Sequence, residues 1–404
     1  MKTNKVDWQL VILVCSIIII MIMGVRQSLG LFLEPISSFM KSGKEFFSFA
    51  IGAQAIIWGI VTFFLGILID KWGPQKILAF GIISYASGIF LMSNPTSEFI
   101  LFSATTLMGF GLGGAGMATM VSIAGKVAPV NKRSLAMGLV AAAASFGQFA
   151  VVLPTMWMNK EFGWEISLII LASISISLLL LIPLLNNTNP KKNDIEDFGN
   201  TLQKTVMFSL KEKNYILLIS GFFVCGFHVT FIALHLPADL ISKGISVEIA
   251  GWSLAIIGVT NIIGTLGFGW LGTKIKKPMP LSLIYLFRAL TITIFVVSPP
   301  SPFIALLFGA VIGVLWLATV PMTNAIILSF IGPKYLATLS GICFICHQLG
   351  AVLGAWLGGR FFDIYGSYEN MWWLSVGLGI IAFVLTVTVK EKPFPVNSEL
   401  KELG

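Results

Sequence analysis

The stretch Gly66-Ile67-Leu68-Ile69-Asp70-Lys71-Trp72-Gly73-Pro74-Gln75-Lys76 joins two long apolar runs through a short charged hinge. Before it, residues 47–69 are almost wholly apolar; after it, a second run opens at Ile77. A helix needs about 20 residues to cross ~30 Å of hydrocarbon. Both runs are near that length, and the hinge leaves room only for a tight turn. The unit reads as a membrane-spanning helical hairpin with its charges at one water interface.

Working outward, the same alternation continues along the chain. Apolar runs of spanning length fall at 9–33, 47–69, 77–93, 98–125, 134–157, 165–186, 214–237, 248–271, 280–298, 302–331, 336–359 and 371–389. Composition agrees: of 404 residues, 56% are hydrophobic and 11% charged, where soluble proteins carry roughly 25% charged residues. So little charge cannot cover that much apolar side chain in water, and lipid must face most of the surface. The four cysteines all lie inside apolar runs and read as small buried hydrophobes. The first run follows MKTNKVDWQL with no small-residue cleavage site, and reads as a retained helix.

The net charge of +8 is explained by where the cations sit. With both termini inside, nineteen of the 26 Lys and Arg fall in inner segments and five in outer ones. That asymmetry predicts cytoplasmic termini in a multi-pass protein of the inner (cytoplasmic) membrane, and needs no nucleic acid.

The two halves of the chain repeat each other at an offset near 203. Leu33-Glu34-Pro35 matches His235-Leu236-Pro237, Gly66…Lys71 matches Gly269…Lys274, and Gly138 and Gly147 match Gly341 and Gly350. The expected architecture is all-α: twelve transmembrane helices in two pseudo-symmetric six-helix bundles. An N-terminal bundle spans 1–187, a cytoplasmic linker 188–212 and a C-terminal bundle 213–404 with a short tail. Duplicated bundles place a solute site between the halves at mid-membrane, and the 40 glycines let helices approach closely there.

The Gly66–Lys76 hinge resembles the inner-loop motif of the major facilitator superfamily: Gly, three residues, Asp, a basic residue, then Gly and further basic residues. The resemblance implies a transporter, with Asp70 a conformational gate and Arg133 its partner; the lesser alternative for Asp70 is a plain helix cap. The second copy has Thr273 at the Asp position. Gly24-Val-Arg26-Gln-Ser28-Leu-Gly30-Leu-Phe32, with His235-Leu-Pro237 and His347-Gln348-Leu-Gly350, further resembles the bacterial monocarboxylate and oxalate/formate porters. Many of those carry an arginine in the eighth span. Here that span reads Ile257-Gly-Val-Thr260-Asn261-Ile-Ile-Gly264, with Asn261 its strongest polar group.

Ionisable residues at mid-membrane are costly and usually functional. Arg26 lies nine residues before Pro35, ~13 Å along a helix. Arg288 is equally deep in the ninth span; His228 is the repeat-mate of Arg26, and His347 lies mid-way along the eleventh span. All 18 acids fall in loops or near span ends. Two arginines therefore lack a buried counter-ion, and an unpaired buried charge costs several kcal/mol. A substrate carboxylate would supply the missing charge, since the guanidinium fork offers it two parallel hydrogen bonds. The expected substrate-binding set is Arg26, His228, Asn261, His347 and Arg288, with Arg288 open to a purely structural role.

The predicted protein is a secondary active transporter of a small organic anion, a monocarboxylate above all, working by proton symport or anion exchange. A drug or metabolite exporter of the same superfamily is the alternative, and a non-transporting membrane sensor a weaker one. The expected partners are the anion, a coupling proton or counter-anion, and lipid, around a monomer. No enzyme, metal or cofactor is expected. Cys343-Phe-Ile-Cys346-His347 spells a haem-attachment pattern inside an apolar run, and Gly111-Leu-Gly-Gly-Ala-Gly116 spells a dinucleotide fingerprint without its strand.

Overall fold

The computed structural model describes residues 8–129, 132–185, 206–331 and 336–393. Most of the linker expected at 188–212 lies outside them. Among the described residues there are twelve helices long and apolar enough to span a bilayer: α1 (Trp8–Leu31), α2 (Gly43–Thr62), α3 (Pro74–Met92), α4 (Glu98–Val127), α5 (Leu135–Phe162), α6 (Trp164–Leu185), α7 (Lys213–Ser242), α8 (Val247–Leu271), α9 (Pro278–Val297), α10 (Pro302–Ile331), α11 (Thr338–Tyr365) and α12 (Glu369–Val387). The helix containing α2 continues to Trp72.

The repeat is visible in the packing. Within the first six spans α1 packs on α5, α2 on α4 and α3 on α6; within the last six α7 packs on α11, α8 on α10 and α9 on α12. Each pairing recurs six spans on. Close packing has its reason in the glycines. A Cβ on Gly111 would meet Tyr85 at 2.5–2.7 Å, and one on Gly258 would meet the Gln148–Phe149 backbone at 2.7–2.9 Å. Only hydrogen fits at such crossings.

Two spans that read as continuous in sequence are broken. The α4 helix stops at Ala115, passes through extended Gly116 and restarts at Met117. The α10 helix stops at Val314 and restarts at Thr319. The breaks are repeat-mates, and backbone polar groups freed inside lipid need partners.

The halves meet along two seams, α2 with α11 and α5 with α8. With an even number of crossings both termini share one face, here the terminal face; the other is the distal face. Both seams are closed on the distal side. On the first, the Asp363 carboxylate accepts from the backbone N–H groups of Lys44 (3.0 Å) and Glu45 (2.7 Å), so it caps the N-terminus of α2 from the opposite half. Glu45 in turn accepts from Trp356 (2.9 Å) and pairs with Arg360 (3.0 Å). The seam runs inward through Gly52 against Val352 and Gly59 against Gln348, as far as Trp58 edge-on to Phe344 at 5.2 Å. The second runs from Lys160–Glu248 (2.8 Å) through Gly251 and Gly258 to a hydrogen bond from Asn261 to Ser145 (2.9 Å). Nearer the terminal face, at Gly138 on α5 and Gly341 on α11, nothing among the described residues lies within 4 Å of where a Cβ would stand.

Candidate functional site

Arg26 sits on α1 at the level where the closed seams end. Its guanidinium lies over the Trp58 ring, 4.9 Å from the centroid, a favourable position for a cation on an aromatic face. Trp58 then meets Phe344 of the other half. Among the described residues Arg26 makes no hydrogen bond and no ion pair. It lines a cavity together with Leu29, Gly30, Ile51, Gln54, Thr230, Ala233 and Leu234, so both halves contribute walls.

Sequence spacing explains the lining. Ile51, Gln54 and Trp58 are three and four residues apart, one face of α2; Thr230, Ala233 and Leu234 share one face of α7 in the same way. Two buried polar atoms on this lining have no partner among the described residues, Gln54 Nε2 and Thr230 Oγ1. Buried polar atoms are normally paired, and with Arg26 the unsatisfied groups here form a set that donates hydrogen bonds. The cavity measures only about 20 Å³, room for the centre of one or two waters.

The other expected site residues lie elsewhere. Arg288, 1% exposed, donates from Nε and Nη2 to the Leu315 carbonyl (3.1 and 2.7 Å) and from Nη2 to that of Trp316. Those carbonyls belong to the break in α10. Its Nη2 also lies 3.6 Å from the Cys225 sulfur, while Nη1 has no partner among the described residues. Asn261 serves the same break: its Oδ1 accepts from the Leu317 N–H (3.0 Å) and from Thr265 (3.1 Å), while its Nδ2 holds Ser145. Arg288 and Asn261 thus clamp one broken helix from two sides.

His228 faces α12, with Nε2 2.9 Å from the Ser375 carbonyl and Nδ1 unpartnered among the described residues. Two residues along α7, Thr230 occupies the face that meets the cavity. His347 packs between Phe222 (4.8 Å) and Phe344 (5.8 Å). Its Nδ1 meets Gln348 Oε1 at 2.9 Å, and Gln348 Nε2 donates to the Ala55 carbonyl of the other half (2.9 Å). That fixes Oε1 as acceptor and so puts a proton on Nδ1. Arg133 is exposed at the start of the helix containing α5; the Asp70 side chain lies outside the described residues.

The structure therefore gathers Arg26, Gln54 and Thr230, brings His347 near through the Trp58–Phe344 contact, and sets His228, Asn261 and Arg288 into supporting contacts. Thr230 carried no signal in the sequence beyond its phase on α7. Gln54 is one of several polar residues inside spans, with no charge to single it out. Among the described residues no group of three His, Cys, Asp or Glu side chains is placed to hold a metal.

A sequence profile of the Major Facilitator Superfamily matches residues 12–355 and 218–403. The chain is 25% identical over 394 residues to the uncharacterized MFS-type transporter YcxA of Bacillus subtilis, with 93% of each covered. It is 25% identical to monocarboxylate transporter 13 of Bos taurus, over 74% of this chain and 70% of that one. The sialic acid transporter NanX of Escherichia coli is 25% identical, over 83% and 82%. Among solved structures, the nucleoside transporter NupG superposes with a TM-score of 0.79 at 15% identity, over 95% of this chain and 100% of that one.

Proposed function

The chain belongs to the major facilitator superfamily, and from that premise we propose that it moves a small organic anion, a monocarboxylate, across the cytoplasmic membrane by alternating access. The observation that carries this reading is Arg26: a half-buried guanidinium between the halves, without counter-ion or hydrogen bond among the described residues, beside Gln54 Nε2 and Thr230 Oγ1. A carboxylate offers about four acceptor positions and one negative charge, which fits a site of donors around one cation. A dicarboxylate would bring a second charge with no cation on this lining. Two relatives named for acids, a monocarboxylate transporter and a sialic acid transporter, support the choice of class.

The cavity is smaller than an organic acid, so binding requires the halves to part around Arg26. The seams suggest how. They are joined distally, and loading from the terminal side followed by opening of the distal contacts would complete a passage. The cation bias toward terminus-side segments puts that side in the cytoplasm, and the two six-helix halves joined through 188–212 are the bodies that rock. Either a proton or a counter-anion couples the movement. His347, linked to Arg26 through Phe344 and Trp58, is the imidazole candidate for a proton, and exchange needs no proton site at all.

Reconstitution in liposomes tests the reading. Counterflow of radiolabelled formate, acetate, L-lactate or pyruvate is expected, with none of a cationic dye. Accumulation of the dye and of no acid would overturn it. An inside-alkaline pH gradient should drive net acid uptake under symport and leave it unchanged under exchange.

A further inference from the structure

On helix α7 the sequence draws the eye to His228 and His235, yet neither reaches the cavity. His228 bonds the Ser375 carbonyl, and His235 bonds Tyr368 and the Ala355 carbonyl (3.3 and 2.8 Å). The face of α7 turned to the first half is Thr230, Ala233 and Leu234. Thr230 is 4% exposed, and its hydroxyl lacks even the bond to the carbonyl four residues back that Ser28, Ser48 and Thr260 make within their own helices. One turn further along, α7 touches α1: a Cβ on Gly30 would meet the Leu234 carbonyl oxygen at 2.9 Å and that of Ala233 closer still. The contact that shuts the cavity distally is therefore carried by the same turn-and-a-half of helix as Thr230.

We infer that Thr230 is the contact through which the second half holds the anion bound at Arg26, its hydroxyl donating to a carboxylate oxygen while Arg26 and Gln54 donate from the first half. This deepens the anion-carrier reading and rests on it. Its consequence is mechanical. An anion with acceptors reached from both halves draws α7 against α1 at Gly30, so occupancy favours the distally closed arrangement. An empty site lacks that tie. Thr230 thereby acts on both affinity and the step that reopens the distal side.

The residue is tested in two ways in the full-length protein reconstituted in liposomes. First, with whichever acid of the panel gives counterflow, Thr230→Val is expected to raise the half-saturating concentration ten- to hundredfold, the range for a lost hydrogen bond to a charged group. Thr230→Ser should stay within about threefold of wild type, because it keeps the hydroxyl. Equal transport by wild type and Thr230→Val would overturn the inference, and so would equal impairment of the Ser and Val variants. Second, and independent of the acid, Thr230→Cys should react with a negatively charged methanethiosulfonate at least tenfold faster than with a positively charged one, against the native cysteines as background. Adding Arg26→Gln should abolish that preference. No reaction above background, or no charge preference, would also overturn it. If Arg26→Ala transports normally, the anion reading itself fails; if Arg26→Ala is inactive while Thr230→Val is normal, only the role of Thr230 fails.

Discussion

Two arginines lie deep in this protein, and their surroundings differ in kind. Arg288 is enclosed, with its fork turned to the Leu315 and Trp316 carbonyls where α10 breaks. Arg26 is half-buried, rests on Trp58 and makes no hydrogen bond among the described residues. Depth is the same signal for both. What separates them is whether the protein itself supplies acceptors. Backbone carbonyls freed by a helix break can hold a guanidinium in place of an anion. A guanidinium facing a cavity of donors is, on the proposed reading, left for an anion that diffuses in.

The contrast breaks most sharply under truncation. Arg26→Ala is expected to lower acid counterflow at least a hundredfold while leaving the unliganded protein at least as stable, since a buried cation without partner is removed. Arg26→Lys should also fail, for lack of the bidentate fork. Thermal unfolding in detergent beside the counterflow assay checks both. Arg288→Ala should do the opposite: a loss of about 1–3 kcal/mol for each buried carbonyl left without its donor, visible as a lower melting temperature before any effect on affinity. A stable Arg288→Ala protein with weakened binding would return that residue to the site.

Smaller effects sharpen the same contrast at its edges. Asn261→Ala leaves the Leu317 N–H and Ser145 without their partner and should cost about 1–3 kcal/mol, again in melting. Asp363→Asn weakens the cap that one half lends the other at Lys44 and Glu45. A loss of about 1 kcal/mol there shifts the balance toward distally open forms by roughly fivefold, readable as faster labelling of a cysteine placed at Ile51. Unchanged labelling would show that the distal seam is not held by this cap.

Much of the fold was legible because lipid imposes length and the duplication imposes a period. The twelve runs, the pairing of Gly138 with Gly341 and the two-fold packing all follow from those constraints. The breaks at Gly116 and at 315–318 were hidden, since apolar residues continue through them and hydropathy does not report backbone direction. At the site, Arg26 was legible as a charge without a visible counter-ion. Arg288 and Asn261 read alike because sequence shows depth but not partners, and their partner is a helix break that sequence did not reveal. His228 has polarity at the right depth. At 3.6 residues per turn, two positions rotate a side chain about 200° around the helix, which is why Thr230 faces the cavity and His228 faces α12.

The most direct test is whether the acid stabilises the protein through Arg26. Melting is measured for wild type and Arg26→Ala, with and without the transported acid at a hundred times its half-saturating concentration. Wild type should gain about 2.7 kcal/mol and Arg26→Ala nothing, with Arg288→Ala retaining a gain from its lower baseline. Equal gains in wild type and Arg26→Ala would contradict the assignment of Arg26 as the anion's counter-charge.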